Sequence, residues 1–197
     1  MSAEPSKPYH HGELRQALIN ATEQILTERG LEGFSMREAA RRAGVSAAAP
    51  AHHFGDTRGL LTAVATAGFL ELQAALREAN TQGGDRTARI QAQARAYIRF
   101  GVAHPARFDL MWRCEALNRA DPAYLSASVG AFSLLHEVIT GVAVSAEQLC
   151  DVAKPGIDVR AVAAWSLVHG FTTLARQGNF DPEMPGLMDG VMATLTV

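Results

Sequence analysis

The chain has 197 residues, 48% hydrophobic and 19% charged, with a formal net charge of −2, which excludes a disordered chain and leaves an ample core for one large domain or two small ones. Its two cysteines, Cys114 and Cys150, make neither a disulfide framework nor a zinc spacing and read as buried thiols of a reducing cytoplasm. No apolar run reaches the roughly 20 residues that span a bilayer, and the N-terminal MSAEPSKPYHHG has no apolar signal core, so a cytoplasmic protein without a membrane partner is expected.

Pro5 and Pro8 block a helix in the first nine residues, which read as an arm. A first helix is expected over Gly12 to Arg29, where Leu14, Ala17, Leu18, Ala21 and Ile25 recur at three- and four-residue steps. Gly30 ends it, and Gly33 bends the connection so that Phe34 plugs a small core. Ser35 and Glu38 form a Ser-x-x-Glu capping box for a helix with a small apolar face, Ala39, Ala40 and Ala43. Gly44 supplies a left-handed end, Val45 turns inward, and Ser46 is placed to cap a second short helix, Ala47 to His53. Phe54 closes it on the core side, Gly55 turns, and Asp56 caps a long helix from Thr57 to Asn80 with a buried stripe of Leu61, Val64, Gly68, Leu72 and Leu76. Two short helices joined by a glycine-containing turn are the helix-turn-helix pattern, whose second helix enters a DNA major groove.

Thr81–Asp85 is the clearest internal loop, although the long helix before it would pack on both sides and join two domains mechanically. Helical patterning then continues over Thr87 to Ala103, breaks at His104-Pro105, and resumes over Ala106 to Leu117 with Phe108, Leu110, Met111 and Trp112. Asp121-Pro122 starts a helix to about Val142. Pro155-Gly156 marks a loop, Asp158 caps a helix from Val159 to Gln177, and a last helix fills about Pro185 to Leu195. The fold expected is all-α with about nine helices, divided into an N-terminal unit, 1–57, and a C-terminal unit, 58–197. The Val159 helix is apolar nearly all round, so it must be covered on more than one side, and a second subunit is a natural cover.

The stretch from about residue 10 to 61 resembles the DNA-binding domain of the TetR family of bacterial transcription regulators. The likeness is carried by Phe34-Ser35-Met36-Arg37-Glu38-Ala39-Ala40, by Ala43-Gly44-Val45-Ser46, and by His53-Phe54 followed by Leu60-Leu61. Further on, Trp165-x-x-x-His169-Gly170 looks like a motif of one class of TetR-type C-terminal domain. The resemblance implies a double-stranded DNA operator, a small-molecule effector, and a homodimer in which the last two helices form a four-helix bundle.

The reading helix is poor in hydrogen-bonding side chains. Ala47, Ala48 and Ala49 offer methyl groups, for instance to thymine, and Pro50 removes a backbone donor. Ala51 stands where the family usually has a tyrosine that touches phosphate, and Thr57 where it usually has a lysine, for which Arg58 is a substitute. His53 matches the family's histidine, and His52 is the polar residue facing base edges. Ser46, His53, Thr57, Arg58 and backbone N–H groups at helix starts are then the expected phosphate anchors. Residues 1–60 hold seven basic and seven acidic side chains, so the unit is neutral and only Arg37, Arg41 and Arg42 cluster. That weak patch predicts a shallow salt dependence of DNA binding.

The effector site is expected among the aromatic and sulfur-bearing residues of the C-terminal unit: Tyr97, Phe100, His104, Phe108, Met111, Trp112, Cys114, Phe132, His136, Trp165 and His169, with His136 and His169 as orienting polar groups. No glycine-rich phosphate loop, Gly-x-Ser-x-Gly elbow or His-Glu-x-x-His helix is present, which argues against an enzyme and implies neither cofactor nor metal. The expected function is a ligand-responsive homodimeric repressor on a pseudo-palindromic operator. The alternative is a small-molecule sensor or binding protein with weakened DNA binding, motivated by Ala51 and Thr57.

Overall fold

A computed structural model describes residues 11–145, 148 and 157–194. The expectations for the N-terminal arm, His10, Cys150 and Pro155-Gly156 lie outside the described residues. Among those described the chain is all-helical: α1 (His11–Arg29), α2 (Met36–Arg42), α3 (Ala49–Phe54), α4 (Thr57–Asn80), α5 (Arg86–Ala103), α6 (Pro105–Met111), a 3-10 turn (Cys114–Ala116), α7 (Pro122–Thr140), α8 (Val159–Arg176) and α9 (Leu187–Ala193).

Local chemistry sets most of the helix starts. The side chains of Ser35, Asp56, Asp85, Asp121 and Asp158 each accept a backbone N–H from the first turn of the helix they precede. Such caps contribute about 1 kcal/mol each. Gly44, at φ +69°, lets the chain turn back after α2. The segment after α6 differs from expectation, for the helix stops at Met111 instead of running to Leu117. The chain leaves it by tighter bonds, Arg113 N–H to the Leu110 carbonyl and Cys114 N–H to that of Trp112 (3.0 Å each), and the Trp112 ring lies edge-on to Phe69 at 5.2 Å. The last helix begins at Leu187, because Gly186 takes the left-handed conformation.

Packing divides into two clusters threaded by the same two helices. The smaller joins Leu18, Ile25, Ala39 and Leu60, with Leu14, Phe34, Met36, Ala43, Val45 and Phe54 packed around them. The larger holds Ile19 and Leu26 from the other face of α1, the α4 stripe from Leu61 to Leu76, and the apolar faces of α5 to α9. By length and composition α4 could cross a membrane, but 61% of its most apolar stretch is buried inside the protein, so it serves as the core helix. Two glycines permit close helix approach. A Cβ on Gly68 of α4 would lie 2.7 Å from Met111 Sδ and 2.9 Å from Arg107 Cγ, and one on Gly101 of α5 would lie 2.3 Å from Thr172 Cγ2 of α8.

One face of α8 is left uncovered. Val159, Val162, Ala163, Ser166 and Leu174 are exposed and recur at helical spacing along one stripe, with Gly170 between them. Val159 is 77% exposed and Leu174 47%.

Candidate DNA-reading surface and ligand cavity

The reading helix begins two residues later than its sequence suggests. Ala48 is the N-cap of α3 and makes no side-chain cap, and Pro50, suited to a first helical turn, is buried beneath it. Ser46 therefore does not cap with its hydroxyl; its backbone carbonyl accepts the Ala49 N–H at 3.0 Å. Pro50 and the half-buried Phe54 face inward, which turns Ala47, Ala48, Ala51 and His52 to solvent. His53 is half-buried, its ring 5.4 Å from that of His52 and 6.3 Å from Phe54. Gly59 fits the following turn because a Cβ there would lie 2.0 Å from the Phe54 carbonyl oxygen.

The arginine cluster beside this helix is largely neutralised. Arg41 and Arg42 both donate to the Glu38 carboxylate, and Arg42 also makes a two-pronged pair with Glu28 at 2.8 and 2.6 Å. The hydrogen-bonding guanidiniums of Arg41 and then Arg42 hold the Glu38 carboxyl down at about 2. With its oxygens engaged in these charge-assisted bonds, Glu38 gives no return bond to complete the capping box, of which only the Ser35 half is present. Arg42 points back at α1, its side chain 15% exposed, whereas Arg37 is exposed with no ion pair to a described residue. Thr57 is exposed at the head of α4, and Arg58 donates to the Glu115 carbonyl at 3.2 Å.

The C-terminal unit encloses a cavity of about 370 Å³. Its wall is built from Phe69 and Leu72 of α4, Tyr97 of α5, Met111 and Trp112 at the end of α6, and Cys114 and Arg119 of the following turn. Tyr124, Ser128, Phe132 and Leu135 of α7, Ile157, and Val162 and Trp165 of α8 complete it. Of the residues expected from sequence, Tyr97, Met111, Trp112, Cys114, Phe132 and Trp165 are in this wall. Phe100 and His104 are not; they pack together at 5.1 Å on the far side of α5, and His104 Nε2 lies 3.3 Å from Glu71. Phe108 is buried behind the wall, stacked on His169.

Neither expected orienting histidine lines the cavity. The Trp165 Nε1–H donates to the Tyr97 hydroxyl (3.4 Å), which is hydrogen-bonded to His169 Nδ1 (2.9 Å). Burial, helped by the nearby Arg176 charge, lowers the His169 pKa and favours the neutral ring. Burial likewise pushes the Tyr97 phenol up. His136 is buried, with Nδ1 2.8 Å from the Val142 carbonyl and Nε2 accepting the Asp158 N–H at 3.2 Å, so it ties the end of α7 to the start of α8. The polar side chains in the wall are instead Arg119, Cys114, Ser128 and Tyr124, and Cys114 is an exposed free thiol, not a buried one.

Next to the cavity, α6 and the turn after it are tied to α1 and α4, the two helices that also pack in the N-terminal cluster. Buried Arg107 of α6 is ion-paired to Glu23 of α1 and to Glu71 of α4. Asp109 pairs with Arg176 of α8 at 2.6 Å, and Met111 seats on Gly68. The turn that carries Cys114 is bonded to the first two turns of α4, through Arg58 to Glu115 and through the Asn118 N–H to Thr62 Oγ at 2.9 Å. No single segment of sequence announces this arrangement, since its partners lie 36 to 84 residues apart.

Residues 18–64 match the family described as bacterial regulatory proteins, tetR family, and residues 90–195 match the tetracyclin repressor-like C-terminal domain. A curated relative, the HTH-type transcriptional regulator BetI of Stenotrophomonas maltophilia, is 37% identical over 71 residues; that stretch spans about a third of the relative's length, 36% of either chain. A solved structure of a protein with unknown function from Rhodococcus sp. RHA1 is 35% identical, covers 96% of this chain and 94% of its own, and superposes with a TM-score of 0.75. The regulator LfrR from Mycobacterium smegmatis, solved with proflavine, shares the fold at 18% identity and a TM-score of 0.64, over 95% of this chain and 96% of its own. The two domain matches, in the order and place where the helix-turn-helix and the helical unit stand, show that the chain belongs to the TetR family of DNA-binding transcriptional regulators.

Proposed function

We propose that the protein is a ligand-responsive homodimeric repressor of the cytoplasm, with residues 1–57 as the DNA-binding unit and 58–197 as the effector-binding and dimerisation unit. The observation that carries the DNA side is α3, a six-residue helix braced by Pro50 and Phe54 so that methyl groups and His52 stand outward. Ala47, Ala48 and His52 meet base edges, while Ser46, His53, Thr57 and exposed Arg37 approach phosphate. Arg42 contributes by fixing α2 to α1. The exposed stripe of α8 supports a two-fold interface through α8 and α9 that sets two reading helices on successive major-groove faces.

The cavity supports an effector site, and α6 with its turn supports a route between sites. A molecule against Met111, Trp112 or Arg119 acts on the same short segment that holds α1 through Arg107 and the head of α4 through Glu115 and Asn118. The switch is then a shift in population between two placements of the reading helices.

Selecting bound DNA from a random pool tests the reading, with Ala51→Glu as the control, since a carboxylate on that exposed position repels phosphate without touching the core. A retained pseudo-palindrome, lost in the variant, is the expected result. A protein that is strictly monomeric, or that retains no sequence, would favour the sensor with weakened DNA binding, which Ala51 and the paired-off Arg41 and Arg42 motivate.

A further inference from the structure

Resting on the reading of the cavity as the effector site, we propose that its ligand is an apolar molecule with a single carboxylate, seated with that carboxylate on Arg119. Three observations meet here. The cavity wall is mostly apolar and aromatic, and at about 370 Å³ it lies at the small end of ligand pockets, room for a compact ring or short chain. Among the described residues Arg119 is the one charged side chain in the wall, and no described aspartate or glutamate lines it.

The third observation is how the remaining polar groups are spent. The Tyr124 hydroxyl donates to the Met111 carbonyl and the Ser128 hydroxyl to that of Leu125. Trp165 donates to the Tyr97 hydroxyl, and that hydroxyl is engaged with His169. The donors left over, besides the weak Cys114 thiol, are the Arg119 guanidinium, which makes no ion pair with a described residue, and the Trp112 Nε1–H, which is buried without a partner among the described residues. The unspent capacity is therefore donor capacity around one positive charge, which an anionic acceptor completes and a cation opposes. The planar fork of a guanidinium matches the two oxygens of a carboxylate. Arg107 and Arg176, the buried arginines nearby, already hold carboxylates of the chain itself, and Arg119 is the one left facing the cavity. Because Arg119 is exposed, the pair is partly screened, and a preference of about tenfold over a neutral isostere is expected.

Both tryptophans of the chain, Trp112 and Trp165, are in this wall, so intrinsic fluorescence reports on the cavity directly. The test titrates the full-length protein with 4-cyclohexylbutanoate, the matching amide and the matching amine, none of which absorbs where tryptophan does. The acid is expected to shift the emission at about tenfold lower concentration than the amide, with the amine weakest. Arg119→Gln should bring the acid to the level of the amide and leave the amide and the melting temperature unchanged; Arg119→Lys should keep part of the preference. An amide or amine that binds as well as the acid, or an acid unaffected by Arg119→Gln, overturns the carboxylate while leaving an effector site in place. If none of the three perturbs either tryptophan, the ligand class and the effector reading fall together.

Discussion

The two clusters differ in how their polar groups are used. Around the small N-terminal cluster the charges neutralise one another on the surface: Glu38 takes Arg41 and Arg42, and Glu28 takes Arg42 again. Around the large cluster they reach across the fold: Arg107 spans α1 and α4, and Arg176 ties α8 to α6. The first arrangement leaves the helix-turn-helix nearly neutral, and the second makes a frame around the cavity. The two are coupled because α1 and α4 belong to both.

The strongest way to break that comparison is Leu18→Ala. Leu18 is fully buried in the small cluster, and its truncation should cost about 3 kcal/mol. If α1 and α4 make the clusters one unit, helix loss by circular dichroism and the change in tryptophan emission should shift together; a DNA-binding unit that melts first while the tryptophans stay native would separate the regions. Arg107→Ala comes next. Leaving Glu23 and Glu71 without their cation should cost about 2 kcal/mol, less than for a fully buried pair because Glu71 is half exposed, and should be read as a lowered midpoint in urea. The variant sharpens the comparison if operator affinity falls as well.

A smaller effect is expected from Glu38→Gln. Freeing Arg41, while Arg42 keeps its pair with Glu28, should steepen the salt dependence of DNA binding, by up to about 0.9 in the log–log slope for each phosphate newly neutralised. An unchanged slope would mean that Arg41 lies out of reach of DNA. The smallest concerns His169, whose pKa is lowered below the ordinary 6.5 by burial, then by Arg176. The unfolded chain binds the proton first, so stability should rise with pH through the window below 6.5 and fall on acidification. His169→Gln should flatten that part of the melting-temperature profile.

What the sequence disclosed follows from the range of the forces concerned. Ser35, Asp56, Asp121 and Asp158 cap helices because a cap is settled within four residues, and each is readable; Asp85, which also caps, reads from sequence only as the end of a loop. Ser46 has the same chemistry but does not cap; the signal that outranked it was Pro50, whose fixed geometry places it in the first turn and moves the start of α3. For the cavity, periodicity showed which helix faces are apolar but not where five such faces fail to meet. Tyr97, Met111, Trp112, Phe132 and Trp165 stand out in the sequence as large apolar groups, whereas Phe69 and Tyr124 look like any other core residue. Arg119 sits in a turn with no pattern of its own. His136 and His169 misled because their ring nitrogens are satisfied by backbone and phenol groups 22 and 72 residues away.

Because α6 has only seven residues and holds Arg107, Asp109 and Met111 against three different neighbours, its register admits no slippage. Inserting or deleting one residue there would rotate everything beyond it by about 100°, breaking all three attachments at once. Descendants of this chain that acquire new effectors should therefore vary by substitution along the inner side of α7, while changes of length gather in the Thr81–Asp85 loop, where added residues meet only water.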